Sequence, residues 1–327
     1  MRPGPTGDMT ARDKRRRLFS EGPQLTPGQI EAEAAPFCTI ASDDLTASHV
    51  PMTAPRIRIF SDLHFGDPCS TLRSLEALTP LFGDADELIF NGDTLDTVVT
   101  GENRPLQTAR AFFAALDRPV TLLSGNHDPD ISGHAELSVR DDRVWITHGD
   151  VLFPNVAPWS HYAAQIPRRL AELATGIPPA DLVLIETRLR LNRIASGEII
   201  EPPAFFDPSP LARLRRLAHV LFPPTRPLAM LRAWRETPRL AAGLAREQRP
   251  RARVVVLGHT HHPGVWSVSG SPRITVINTG SFTRPFGAAF VDIHEERVRV
   301  TRIKHHGATL RPGRVLADFT LRELSSE

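Results

Sequence analysis

The sequence holds only two cysteines, Cys38 and Cys69, in 327 residues, and neither stands in a C-x-x-C pair. That excludes a disulfide framework and fits a reduced, cytoplasmic protein. Lysine is as scarce, since Lys14 and Lys304 leave 39 − 2 = 37 of the basic residues as arginine. With abundant Ala and Pro, this reads as coding composition rather than function. No run approaches the ~20 apolar residues of a membrane span, and no apolar segment follows the Arg-rich start as a signal peptide requires. The net charge of +2 is no global signal for nucleic acid or membrane.

What is present divides the chain into unequal stretches. Residues 1–50 are Pro-, Gly- and acid-rich, include Lys14-Arg15-Arg16-Arg17, and show no sustained period, so they read as a disordered leader. From Arg56 the texture alternates apolar strand and helical pattern. Arg56–Phe60, Glu87–Phe90, Val120–Leu123, Glu136–Val139 and Arg143–Thr147 read as strands. A helix is expected after Ser70 as N-cap, with Leu72, Leu75, Leu78 and Leu81 on one face, and a second over Pro105–Leu116. Strand texture resumes at Arg253–Leu257 and continues through Val265–Val268, Arg273–Ile277, Ala288–Ile293 and Arg297–Ile303. The fold class is therefore α/β, with two mixed β-sheets packed as a sandwich and flanked by helices. The core is expected over 56–155 plus 251–306, an inserted helical cap over 156–250, and a polar tail over 307–327 with a short terminal helix.

The chemistry sits at the strand ends. Five polar blocks each follow an apolar strand directly: Asp62-Leu63-His64, Gly92-Asp93, Gly125-Asn126-His127-Asp128, His148-Gly149-Asp150 and Gly258-His259-Thr260-His261. Open α/β sheets put ligand sites beyond the carboxyl ends of strands, where loops converge. The residue types suit two cations, which need several imidazoles and carboxylates and are best served by one shared carboxylate. Such a pair overcomes the repulsion between a phosphoester anion and an anionic nucleophile. Any one block alone is an ordinary polar strand end; the set in this order is highly specific.

These residues resemble the calcineurin-like metallophosphoesterase family over Arg56–Asp150 and Arg253–Ser281, in the family's order D-x-H, G-D-x-x-D, G-N-H-D, H-G-D and G-H-T-H. The resemblance implies one divalent ion held by Asp62, His64, Asp93 and His261. A second is implied on Asp93, Asn126, His148 and His259, with Asp93 shared. It also implies a metal-bound hydroxide as nucleophile in in-line attack on a phosphoester or pyrophosphate bond. His127 then acts as proton donor or transition-state stabiliser, and Asp128 orients it. Manganese is the expected metal, with iron, zinc or cobalt as alternatives. Asp96, the last position of G-D-x-x-D, reads as loop support, and Asn278-Thr279-Gly280-Ser281 as a turn beside the site. Arg104 is a candidate phosphate clamp, set against a plain surface arginine. His262 could touch substrate or be a surface histidine.

Substrate choice falls to the expected cap. From Gln165 to Arg253 there are 16 Arg against 8 Asp plus Glu and no Lys, about 16 − 8 = +8. Leu211, Leu214, Leu217 and Leu221 form one helix face, with Arg213, Arg215 and Arg216 opposite. The stripe reads either as ordinary packing on the core or as a cap holding an apolar tail, with peripheral membrane contact. An insert between H-G-D and G-H-T-H is similar to that of the UDP-2,3-diacylglucosamine pyrophosphatases, which implies a nucleotide-linked or lipid-linked phosphate as substrate. The alternatives are a metal-dependent nuclease whose arginines track nucleic acid, and a non-catalytic scaffold, which should have lost ligands that this chain keeps.

Overall fold

A computed structural model of the chain describes residues 54–96, 104–199, 222–306 and 309–324, with 209, 211 and 218. The leader over 1–50 and nearly all of the 211–221 stripe lie outside them; Leu211 itself is exposed.

Eleven strands occur among these residues. They are β1 (Ile57–Phe60), β2 (Glu87–Asn91), β3 (Val120–Leu123), β4 (Glu136–Val139), β5 (Val144–Thr147), β6 (Val254–Leu257), β7 (Gly264–Val268), β8 (Ile274–Asn278), β9 (Ala289–His294), β10 (Arg297–His306) and β11 (Thr309–Thr320). The helices are α1 (Thr79–Phe82), α2 (Arg104–Ala114), α3 (Gln165–Leu173), α4 (Pro179–Leu182), α5 (Ile185–Gly197) and α6 (Thr225–Gln248). One sheet runs β11-β10-β9-β1-β2-β3 and the other β4-β5-β6-β8-β7. Both are mixed: β1, β2 and β3 are parallel, as are β5, β6 and β8, while β9–β11, β4 and β7 pair antiparallel.

Short β-branched runs such as Val254-Val255-Val256-Leu257, buried at every position, are what a strand covered on both faces requires. Alternation then assigns the faces. Ile57, Ile59, Ile146, Val254, Val256 and Val291 fill the layer between the sheets. Phe60, Phe90 and Phe290 turn outward under the Leu75–Phe82 turns and α2. Trp145, Val255, Leu257 and Val276 turn the other way, under α5 and α6.

Three boundaries differ from expectation. The apolar face of α6, with Ala233, Ala241, Ala242 and Ala245, packs on the second sheet, so the C-terminal part of the expected cap is core. Pro238 lies inside this helix, where it removes a ladder donor; Thr237 Oγ1 adds a local bond to Ala233 O at 2.7 Å. Residues 309–320 are not a tail but the edge strand β11, paired along most of β10. Ser70 caps no helix: its Oγ donates to Leu63 O at 2.7 Å and accepts from Leu72 N–H at 3.1 Å. The leucines after it are buried as expected, but on a 3-10 turn followed by the short α1.

One buried charge ties these layers together. Arg58 Nε pairs with Asp292 Oδ1 at 2.6 Å, and its Nη1 donates to Leu81 O (2.5 Å) and Phe82 O (2.9 Å). Arg58→Ala leaves Asp292 with no countercharge in a largely desolvated place. It is expected to cost about 3–5 kcal/mol, read as a lowered urea midpoint at unchanged slope.

Candidate metal centre

The five blocks converge on one rim, where β1, β2, β3, β5 and β6 end. Pairing continues past the strands: Asp62 N–H donates to Gly92 O (3.0 Å), His64 N–H to Asp93 O (2.9 Å) and Gly258 N–H to His148 O (3.0 Å). Asp62, His64, Asp93, His259 and His261 all take left-handed backbone, with φ between 46° and 65°. Such residues cost ~1–3 kcal/mol each unless their surroundings hold them. The turn swings each side chain back over the sheet edge.

Six of the seven predicted ligands meet there in two groups sharing one carboxylate, and the seventh, Asn126, stands beside the second. Asp62, His64, Asp93 and His261 form the first, and Asp93, His148 and His259 the second. His64 Nε2 lies 3.0 Å from His261 Nε2, and His261 Nε2 lies 3.2 Å from Asp62 Oδ1. Asp93 Oδ1 accepts the His127 N–H at 2.9 Å; Oδ2 faces His148 Nε2 at 3.2 Å and His64 Nε2 at 3.7 Å. Asn126 Oδ1 stands 3.3 Å from the same His148 nitrogen.

Proton positions follow from the outer partners. A carbonyl only accepts. The contact of His148 Nδ1 with Asn91 O (3.1 Å) therefore puts a proton on Nδ1. His259 Nε2 likewise carries one for Val156 O at 2.9 Å, which leaves Nδ1 as its lone-pair nitrogen. Val156 itself is at φ 59°, unusual for a β-branched residue, and that strain aims its carbonyl at the ring. The nitrogen of a neutral His148 thus points its lone pair at two oxygens. A proton on that nitrogen or a metal ion beside it relieves that.

The electrostatics agree. Asp62, Asp93, His64 and His148 are at most 2% exposed, too dry for uncompensated charge. Burial would raise the Asp93 carboxyl, but the charges of His148, His127 and His64 hold it well below the usual range. Burial would lower His148, yet Asp93 and Asp62 push it up to about 10. His259, beside His148, is driven down to about 3 by burial and that neighbour, so its ring is neutral. Buried carboxylates that demand positive charge, with imidazole lone pairs among them, form a donor set that fits divalent cations.

The carboxylate behind His127 is not the expected one. Asp128 accepts four backbone N–H groups, from Asp93 (3.0 Å), Thr94 (2.7 Å), Leu95 (3.1 Å) and Gly125 (2.9 Å). Its job is to hold two ligand loops together, while burial and the nearby Asp93 push its carboxyl up to about 7. Asp96 takes the orienting place: its Oδ1 lies 3.2 Å from His127 Nδ1 and its Oδ2 3.7 Å from His64 Nδ1. Burial opposes its ionisation, but His127 and His64 bring Asp96 down to about 2. Thr283 was also missed; its Oγ1 meets His261 Nδ1 at 3.1 Å. Asn278 supports the last loop as expected, with Nδ2 donating to Gly258 O at 2.6 Å. Arg104 opens α2, and its side chain lies outside the described residues.

The glycines of the blocks make room for ligands. A Cβ on Gly258 would overlap Asp62 Oδ2 and Ser61 Oγ, and one on Gly125 would overlap Asp93 Oδ1. Gly258→Ala is therefore expected to displace Asp62 and reduce bound metal at least tenfold, a loss of about 1.4 kcal/mol or more, as metal analysis of the purified variant would show.

No curated protein matches the sequence. Solved structures that match the chain include a predicted phosphoesterase from Streptococcus pneumoniae, 16% identical at TM-score 0.35, covering 81% of this chain and 97% of that one. A dimetal phosphatase from Danio rerio is 15% identical at TM-score 0.40, covering 82% and 99%. Vps29 of Entamoeba histolytica, complexed with zinc, is 10% identical at TM-score 0.37, covering 81% and 99%. The calcineurin-like phosphoesterase model matches residues 55–263, which span all five blocks, and the chain belongs to that family.

Proposed function

We propose that the chain hydrolyses a phosphoester or pyrophosphate bond at a dinuclear centre. Asp62, His64, Asp93 and His261 hold one ion, and Asp93, Asn126, His148 and His259 the other. The observation that carries this reading is Asp93 Oδ2, facing an imidazole nitrogen from each group while Oδ1 is occupied by the His127 N–H. Two divalent ions there supply charge neutralisation for the anionic ester and an activated nucleophile near neutral pH. Manganese is the working ion in this reading, since imidazole, carboxylate and amide oxygen all suit it.

The side chains do the rest. Asp62 is fixed by the His259 N–H (2.9 Å to Oδ1), so its carboxylate is held before any ion arrives. His127 sits at the edge of the centre, half-buried, with its ring against His64 at 4.9 Å between centroids. Its Nδ1 is held by Asp96, an arrangement that suits proton delivery to a leaving oxygen from Nε2. The substrate in this reading is a phosphorylated small molecule, nucleotide-linked or lipid-linked. The exposed thiol of Cys69 suits a reducing, cytoplasmic compartment, and among the described residues no helix is long and apolar enough to cross a membrane.

Bis-p-nitrophenyl phosphate tests the reading. Mn²⁺-loaded protein should hydrolyse it and lose the activity on chelation, with recovery on adding the metal back. Loaded protein that stays inert across mono-, di- and pyrophosphate esters would favour a binding scaffold.

A further inference from the structure

Beside the block that carries His259 and His261, α6, His262 and β7 line an open groove of about 640 Å³ that the chemistry above does not use. Its wall is aromatic. The His262 ring is stacked with Trp234 (centroids 5.1 Å apart, planes 20°) and with Trp266 (5.9 Å, 25°). Trp234 Nε1 donates to Thr260 O at 2.8 Å, which ties the wall to the loop carrying His259 and His261. His262 Nδ1 is buried and has no hydrogen-bond partner.

The groove is also charged on one side. Arg235 and Arg239 line it, one helical turn apart and both exposed. Neither makes an ion pair or hydrogen bond among the described residues, whereas Arg232 on the same helix pairs with Glu236 at 2.9 Å. Two unpaired like charges at i and i+4 cost a few tenths of a kcal/mol in a bare helix. An anion across the groove would turn that cost into a two-armed clamp.

We propose that this groove is a nucleotide subsite. The base lies on the Trp234–His262–Trp266 wall, and phosphate oxygens meet Arg235 and Arg239. A plain hydrocarbon would leave the arginines unused, and a bare phosphate would leave the aromatic wall unused. A ligand that joins a planar ring to an anion engages both. The subsite includes His262, next in the chain to His261, and Trp234 is bonded to the Thr260 carbonyl between His259 and His261, so the groove adjoins that block and the substrate class becomes nucleotide-linked phosphates. This rests on the phosphoesterase reading for its consequence, though not for the binding itself.

Titration calorimetry on the full-length, metal-loaded protein tests it with α,β-methylene-ADP and its two halves, methylenediphosphonate and adenosine. The nucleotide analogue should bind at least tenfold more tightly than methylenediphosphonate, because the ring adds contact that the metal centre cannot supply. That advantage should vanish in Trp266→Ala. In the Arg235→Ala/Arg239→Ala double variant, whose changes are exposed and leave the core intact, analogue affinity should fall about tenfold. Equal affinity for analogue and methylenediphosphonate, or an undiminished preference in both variants, overturns the subsite. Bis-p-nitrophenyl phosphate hydrolysis on the same samples keeps the two ideas apart. Preferential analogue binding without hydrolysis defeats only the phosphoesterase reading, and hydrolysis without the preference defeats only the subsite.

Discussion

Asp93→Asn should reduce turnover by on the order of 10³, about 4 kcal/mol of transition-state stabilisation, and should lower bound metal at both positions. The reason lies in the two oxygens. Oδ1 accepts the His127 N–H and Oδ2 is the shared position between His148 and His64. An amide has only one acceptor oxygen. Placed at Oδ1, it puts an NH₂ where the ions need a carboxylate. Turned over, it sets that NH₂ against the His127 N–H. Metal analysis and kcat on one preparation check this; a variant that keeps both ions and most of its activity would remove Asp93 from the centre.

His127→Ala is the second large effect, and it should separate chemistry from assembly. Turnover should fall by about 10²–10⁴, the usual range for a positioned proton donor, while metal content stays at the parent level, since His127 belongs to neither four-ligand set. Asp96→Asn should follow it with a milder loss of about 10–100-fold, because the amide still reaches His127 Nδ1 but orients it less firmly. Asp128→Asn should act differently. It strips acceptor capacity from four backbone N–H groups and should appear first as a lowered Tm. If Asp128→Asn matched His127→Ala in kcat at unchanged stability, the orienting role would return to Asp128.

That exchange of roles shows where sequence reading runs out. Asp128 is next to His127 in the chain, and adjacency made it the natural partner. Adjacent side chains in a tight loop point apart, however, and Asp128 turns under the loop toward Asp93, Thr94, Leu95 and Gly125. Asp96 reaches His127 only through the packing of β2 beside β3, a contact with no local signature. The convergence of the five blocks was legible for the opposite reason: each follows an apolar strand, and parallel strands bring their ends to one rim.

Boundaries failed for a related cause. The Ala face of α6 has clear period but does not say what it packs on, so it read as cap although it covers the second sheet. β11 carries Pro312, Gly313 and the exposed Arg311 and Arg314, a pattern a solvent-facing edge strand tolerates and a tail also shows. The groove beside His262 was the least readable feature, because Trp234 and Trp266 are far apart in sequence and meet only across that residue.

The shared Asp93 carboxylate is the centre of this account, and anomalous diffraction from crystals grown with Mn²⁺ tests it directly. Two anomalous peaks about 3.5–4 Å apart should flank Asp93, one toward His64 and His261 and the other toward His148 and His259. A single peak, or two peaks that do not share Asp93, would contradict it.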